Sequence, residues 1–367
     1  MSLGVLALPQ AVAVMRLIPG LLIILILSIL AGYTGLASFA DARGIIGGTF
    51  GSRLVAVSQC LLLIFIMVAH ILSFSIALNV IIDHSQCTVI FMILGSIVCF
   101  ILGLPRTLKG VSFLSIFSCI SIITAVTVIT VALGISNPDA GDIKIVQAHL
   151  STTTYLNPVM NIILAFSGHV AFFGLISKMK QPRDFPKLLV AMQTLAVTFY
   201  TIIAAVICYF ADSLISSPAL DSASPLVRKI GFGIALPTMV IAGVIYGSVV
   251  SKFIYLRLWK GTNVVHEKTV KSVESWVAIC AITWFVAWVI AEAIPKLNLL
   301  LGLIGALFGS WFSYSIPTVL WLYMNYQNWT KNRRNLSIAL LNASFLVLGI
   351  GICISGLYSS GYALAHG

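Results

Sequence analysis

The stretches Ser2–Pro9, SLGVLALP, and Phe166–Gly174, FSGHVAFFG, decide how this chain is read, because each sets a glycine inside a run apolar enough to lie at membrane depth. Backbone released from helical hydrogen bonding is tolerated there only where it is buried in protein or lines a cavity. Two interrupted helices at corresponding places in two halves of a many-span chain point to a transporter whose solute sits at the interruptions.

The rest of the chain fits that class. Of its 367 residues 60% are hydrophobic and 8% charged, and the mean hydropathy is +1.08. A soluble domain carries roughly 25% charged residues, so this is an integral membrane protein, and its loops are too short to hold a second domain beside the polytopic one over residues 1–367. The net charge of +11 lies in short loops rather than in a basic stripe, which argues for membrane topology and against nucleic acid. The seven cysteines, at 60, 87, 99, 119, 208, 280 and 353, include no CxxC pair, so neither a disulfide framework nor a metal site is expected and no cofactor is implied.

At about 20 residues per crossing, ten full spans are expected near 18–40, 54–82, 88–103, 111–135, 158–177, 188–211, 230–258, 273–294, 299–324 and 336–358. Met1–Met15 is too short for an eleventh and reads as half a helix whose inner part lies upstream or has been lost. It is not a secretory signal, since it lacks a basic start and a cleavage site and contains Pro9. If it runs outward, sixteen of the 21 basic residues fall on the inner side and only Arg16, Lys144, Arg228, Lys229 and Lys296 outside, as the positive-inside rule requires. Residues 136–157 and 212–225 then form solvated outer loops. The sequons at Asn328, Asn335 and Asn342 fall on the inner side or within a span and are chance matches.

The segment Asn161–Lys187, NIILAFSGHVAFFGLISKMKQPRDFPK, resembles the sixth span and following loop of fungal members of the amino acid/auxin permease family. SLGVLALPQA at the start resembles that family's first-span break, and AEAIPKLNLLLGLIGALFGSWFSYSIP at 291–317 its ninth-to-tenth-span region. The similarity covers nearly the whole chain, with the missing start as the main departure. It implies an all-α LeuT-like inverted repeat of five plus five spans, residues 1–135 and 158–324, with an extra span near 336–358. It also implies proton-driven transport of amino acids, most often neutral ones.

The physics of the interruptions agrees. An amino acid carries a carboxylate, which half-helix N–H groups can hold, and an ammonium, which half-helix carbonyls can hold. Ser2, Leu3, Gly4, Val5 and Leu6 are assigned to the first interruption and Phe166, Ser167, Gly168 and His169 to the second, with Gly4 and Gly168 permitting irregular backbone and close approach. His169, whose unperturbed pKa would be about 6.5, is the candidate proton carrier, weighed against a neutral packing histidine and a direct substrate contact. Phe172 and Phe173 act as lid, pocket wall or packing, and Tyr246 is placed to stack on a substrate side chain. With no acid at either interruption, neutral aliphatic or aromatic substrates are expected.

Other residues have plainer readings. His70 is core or site lining, and Glu292, followed by Pro295 and Lys296, reaches the outer interface. Ser248 and Ser251 more often bond their own helix than a cation, so sodium is the less expected coupling ion, and no lysine lies in the fifth span, so the lysine-for-sodium arrangement of some proton-coupled relatives is not visible. Gly302, Gly305 and Gly309 read as helix packing. No paired catalytic set occurs within the spans, which argues against an enzyme. The alternative is a sensor or scaffold, or an inactive paralogue, that keeps the fold without moving solute. The expected partners are an amino acid, a proton and the lipid bilayer, and the location is the plasma or the vacuolar membrane.

Overall fold

The computed structural model describes residues 2–39, 48–83, 85, 87–106, 111–136, 152–169, 172, 176, 179–211, 215–262, 264 and 269–366. Regular structure among them is entirely helical, as a bilayer requires of backbone that it cannot hydrate. In chain order the helices are α1 (Ser2–Met15), α2 (Leu17–Phe39), α3 (Gly48–Ile81), α4 (Thr88–Gly103), α5 (Val111–Ser136), α6 (Thr152–Ala165), α7 (Phe185–Ala211), α8 (Pro225–Leu258), α9 (Val270–Ala293) and α10 (Leu297–Ile304). Two π-helical turns follow, Gly305–Gly309 and Trp311–Ser315, then α11 (Ile316–Asn325) and α12 (Arg333–His366).

Among the described residues eight stretches are long and apolar enough to cross a membrane, against the ten full spans expected. The shortfall lies at α4, with 16 residues, and α6, with 14. At 1.5 Å per residue these reach only about 24 and 21 Å of a hydrocarbon core about 30 Å thick. α6 also starts earlier than expected, since Pro158 lies inside it and removes only the bond to the Thr154 carbonyl.

Arg16 alone separates α1 from α2. Its φ of 74° turns the chain back, and Gly20 admits Val12 so closely that a Cβ there would stand 2.9 Å from the Val12 Cα. Lys229 Nζ donates to Asp83 Oδ2 at 2.6 Å and Arg228 Nη1 to Asp221 Oδ1 at 3.0 Å, linking the start of α8 to the end of α3 and to the preceding loop. That loop corrects the expectation of a fully solvated segment over 212–225. Ala219 and Leu220 are buried, because Leu220 fills the space beside Gly231 and Ile129.

Hydrocarbon replaces water as the surrounding solvent, so large apolar side chains such as Phe113, Ile135, Leu195 and Val347 point outward. Many buried hydroxyls bond carbonyls of their own helix, as Ser73 does with Ala69 O at 2.8 Å and Ser96 with Met92 O at 2.9 Å. The helices pair in a regular way: α1 packs on α6, α2 on α7, α3 on α8 and α4 on α9, each on the fifth helix after it. α5 lies against α8 in the way that α10 lies against α3. At the opposite helix ends Arg106 Nη1 donates to Ser272 Oγ at 2.8 Å, Tyr255 and Ser272 share a hydroxyl bond at 2.8 Å, and Trp276 Nε1 donates to Leu104 O at 2.7 Å. The Arg106 guanidinium also lies over the Tyr255 ring at 5.2 Å, so α8, α9 and the end of α4 are tied together.

Candidate solute site where α1 meets α6

The helix α6 ends where the second interruption was expected. Phe166 N bonds both Ile162 O, at 3.4 Å, and Ile163 O, at 3.2 Å; Ser167 N bonds Leu164 O at 3.1 Å and Gly168 N bonds Phe166 O at 2.9 Å. The turn thus tightens from α through 3₁₀ to a three-residue turn, one way a helix end satisfies its last carbonyls. Ser167 Oγ competes for the Ile163 carbonyl at 2.6 Å and helps to end the helix. The Ile162, Leu164 and Phe166 carbonyls each keep a second lone pair that a cationic group could use, whereas that of Ile163 accepts two bonds already.

The first interruption needs correction. Ser2, Leu3, Gly4, Val5 and Leu6 are helical, the opening turns of α1, rather than irregular backbone. Leucine, alanine and valine hold the helix, and Pro9 removes only the donor to the Val5 carbonyl. Gly4 serves close approach instead: a Cβ there would lie 2.9 Å from the Ala165 Cβ and 3.4 Å from the Tyr200 hydroxyl. The N-terminal turn of α1 therefore meets the C-terminal turn of α6. The carbonyl end of the α6 helix dipole thus lies beside the turn of α1 that carries Gly4.

Aromatic residues from the flanking helices close around this junction. Tyr200 of α7 is almost fully buried, and its ring meets that of Phe166 edge-on at 5.7 Å. Tyr246 of α8 stacks on His70 of α3 at 5.8 Å and 22°. His70 is buried, and its Nδ1 has no hydrogen-bond partner among the described residues. Tyr200 escaped sequence reading because an aromatic residue in a span ordinarily means packing, and nothing in its own segment marks it.

His169 is buried against α2. Its Nε2 lies 3.0 Å from Ala31 O and 3.2 Å from Thr34 Oγ1, while Thr34 donates its own proton to Leu30 O or Ala31 O. A carbonyl only accepts, so Nε2 carries the proton and Nδ1 is the free nitrogen, again without a partner among the described residues. Phe172 stands 4.9 Å from the His169 ring and 5.4 Å from Phe185, in an apolar cluster with Leu189 on the α7 side. Phe173 lies outside the described residues.

Several other candidates fall away from the junction. Ser251 Oγ pairs with Thr283 Oγ1 of α9 at 3.2 Å. A Cβ at Gly247 would sit 2.7 Å from Trp284, which fixes that part of α8 against α9. Glu292 accepts from Trp288 Nε1 at 3.0 Å, one turn earlier on α9. A Cβ at Gly302 would overlap Asn157 Oδ1, one at Gly305 the Met160 carbonyl, and one at Gly309 would stand 2.8 Å from Ser167 Oγ, so these glycines pack the span beginning with α10 onto α6. Among the described residues no group of three or more His, Cys, Asp or Glu could hold a metal ion.

Known proteins with related sequences match this chain over nearly its full length. The N amino acid transport system protein of Neurospora crassa is 30% identical over 98% of this chain and 81% of its own. Proteins named transmembrane transporter from Gibberella moniliformis and Fusarium pseudograminearum are each 27% identical over 98% of this chain, and 80% and 79% of theirs. The model of the family described as transmembrane amino acid transporter protein matches residues 1–360. A chain whose regular structure is helical among the described residues, with eight stretches long and apolar enough to cross a membrane, thus belongs to the transmembrane amino acid transporter family.

Proposed function

We propose that this membrane protein is a secondary active transporter of neutral amino acids, aliphatic or aromatic, coupled to protons and working by alternating access. The observation that carries the reading is the contact of Gly4 with Ala165, which sets the N-terminal turn of α1 beside the C-terminal turn of α6. A zwitterion suits that junction: its carboxylate takes the N–H end and its ammonium the carbonyl end. The described residues of α1 and α6 carry no charge that would favour a cationic or anionic side chain.

The arrangement proposed is a LeuT-like five-plus-five inverted repeat, with α12 as the extra helix. What supports it is the pairing of each of α1–α4 with the fifth helix after it, since elements related by a two-fold axis and lying near it touch one another. In this reading α1 and α6 rock against α3 and α8, and Phe166, Tyr200, Tyr246 and His70 wall the substrate. His169 is the proton candidate, with Nδ1 as the protonation site and Ala31 O holding the opposite nitrogen in place.

The test is uptake of radiolabelled neutral amino acids into proteoliposomes under an imposed pH gradient or sodium gradient. Accumulation driven by the pH gradient and abolished by a protonophore is expected. Accumulation that follows sodium and ignores pH would overturn the proton assignment, and none under either gradient would overturn the transport reading.

A further inference from the structure

We propose that the seam between the outer half of α6 and α10 is the outer gate of the path to the junction, latched by the amide pair Asn161–Asn298. The proposal rests on the transport reading above. α6 runs from the outer face to the junction at Ala165, so a solute entering from outside travels beside its first turns. Asn157 and Asn161 lie one turn apart on one face of α6. Asn161 Nδ2 donates to Asn298 Oδ1, while Asn157 Oδ1 is held against Gly302, one turn beyond Asn298.

The polar bookkeeping of this seam is incomplete in its closed form. Asn157 is 9% exposed and Asn161 2%, yet the Oδ1 atoms of both have no hydrogen-bond partner among the described residues. A permanently packed interface would carry that loss for no return. A surface that opens to water regains the hydration of both oxygens, while closing regains the amide bond and the tight contact at Gly302 and Gly305. Two arrangements that trade such terms form a bistable element of the kind that gating needs. The two π-helical turns directly after α10 give that span a locally weakened helix about which its outer part can shift.

The test uses the double variant Asn161→Cys/Asn298→Cys in proteoliposomes, with the exposed Cys87 and Cys119 changed to Ser. Copper phenanthroline is expected to join the two thiols and to lower uptake by at least about tenfold, as locking a gating step would, with dithiothreitol restoring it. A cross-link that forms while uptake continues would overturn the latch, and so would failure of the pair to cross-link. If the unoxidised double variant is inactive, labelling decides: Ser167→Cys is exposed to a membrane-impermeant thiol reagent from outside, with and without Asn298→Ala. Faster labelling with Asn298→Ala supports the latch and equal rates overturn it. Absence of uptake by the parent protein strikes at the transport reading instead and leaves the labelling comparison decisive for the gate.

Discussion

Replacing Gly4 with Ala tests whether the meeting of α1 and α6 is the working centre. The new Cβ would stand 2.9 Å from the Ala165 Cβ and 3.2 Å from its Cα. Unstrained carbon contacts lie at about 3.5–4.0 Å, so the two helices must part by about 0.6–1.1 Å, since neither methyl group can rotate away. Overpacking of this kind costs about 1–3 kcal/mol of stability. A displacement near 1 Å at a positioning site lowers turnover by up to about 100-fold. The variant should therefore lose about 10- to 100-fold in kcat/KM for uptake, equivalent to about 1.4–2.7 kcal/mol. Initial rates in proteoliposomes, normalised to incorporated protein, measure this. The double variant Gly4→Ala/Ala165→Gly removes the opposing methyl group and should recover part of the loss. Gly32→Ala serves as control, because its Cβ would meet only Gln193 Cγ at 3.8 Å. Uptake at the parent rate by folded Gly4→Ala, or a loss that Ala165→Gly does not relieve, would refute the reasoning.

Further perturbations address the scaffold and the coupling. Arg106→Ala removes the bond to Ser272 Oγ and the contact with the Tyr255 ring; it should cost about 1.5–3 kcal/mol, read as a lower melting temperature in detergent, and an unchanged melting temperature would mean that this network adds nothing. Gly302→Ala should reduce the folded yield, because its methyl group overlaps Asn157 Oδ1, whereas Gly351→Ala, with nothing within 4 Å of its Cβ, should not. Equal yields would show that the α6–α10 contact is not tight. His169→Gln should flatten the pH dependence of uptake; a pH profile matching the parent would remove the proton role from this residue.

Span positions were legible where apolar length alone decides them. The expected 88–103 and 111–135 lie within a residue of α4 and α5, and 273–294 within three residues of α9. Hydropathy says nothing of whether a helix continues through an apolar run. The interruption at Phe166–Gly168 was found from its Ser-Gly-His cluster, but Ser2–Leu6, judged by the same glycine and proline signals, is helical. There the glycine serves packing against Ala165, a contact between segments far apart in sequence. Tyr200 and the pairing of His70 with Tyr246 were hidden for the same reason. Asn157, Asn161 and Asn298 did carry a signal, since amides inside apolar spans are costly and need a partner, but their mutual contact belongs to the fold.

The central claim is that a zwitterion is held between the N–H end of α1 and the carbonyl end of α6. Competition against labelled substrate in proteoliposomes, with the amino acid and with its decarboxylated and deaminated analogues, tests it most directly. Strong competition by the intact amino acid, and little by either analogue, is the predicted result. An amine or a carboxylic acid competing as well as the amino acid would contradict it.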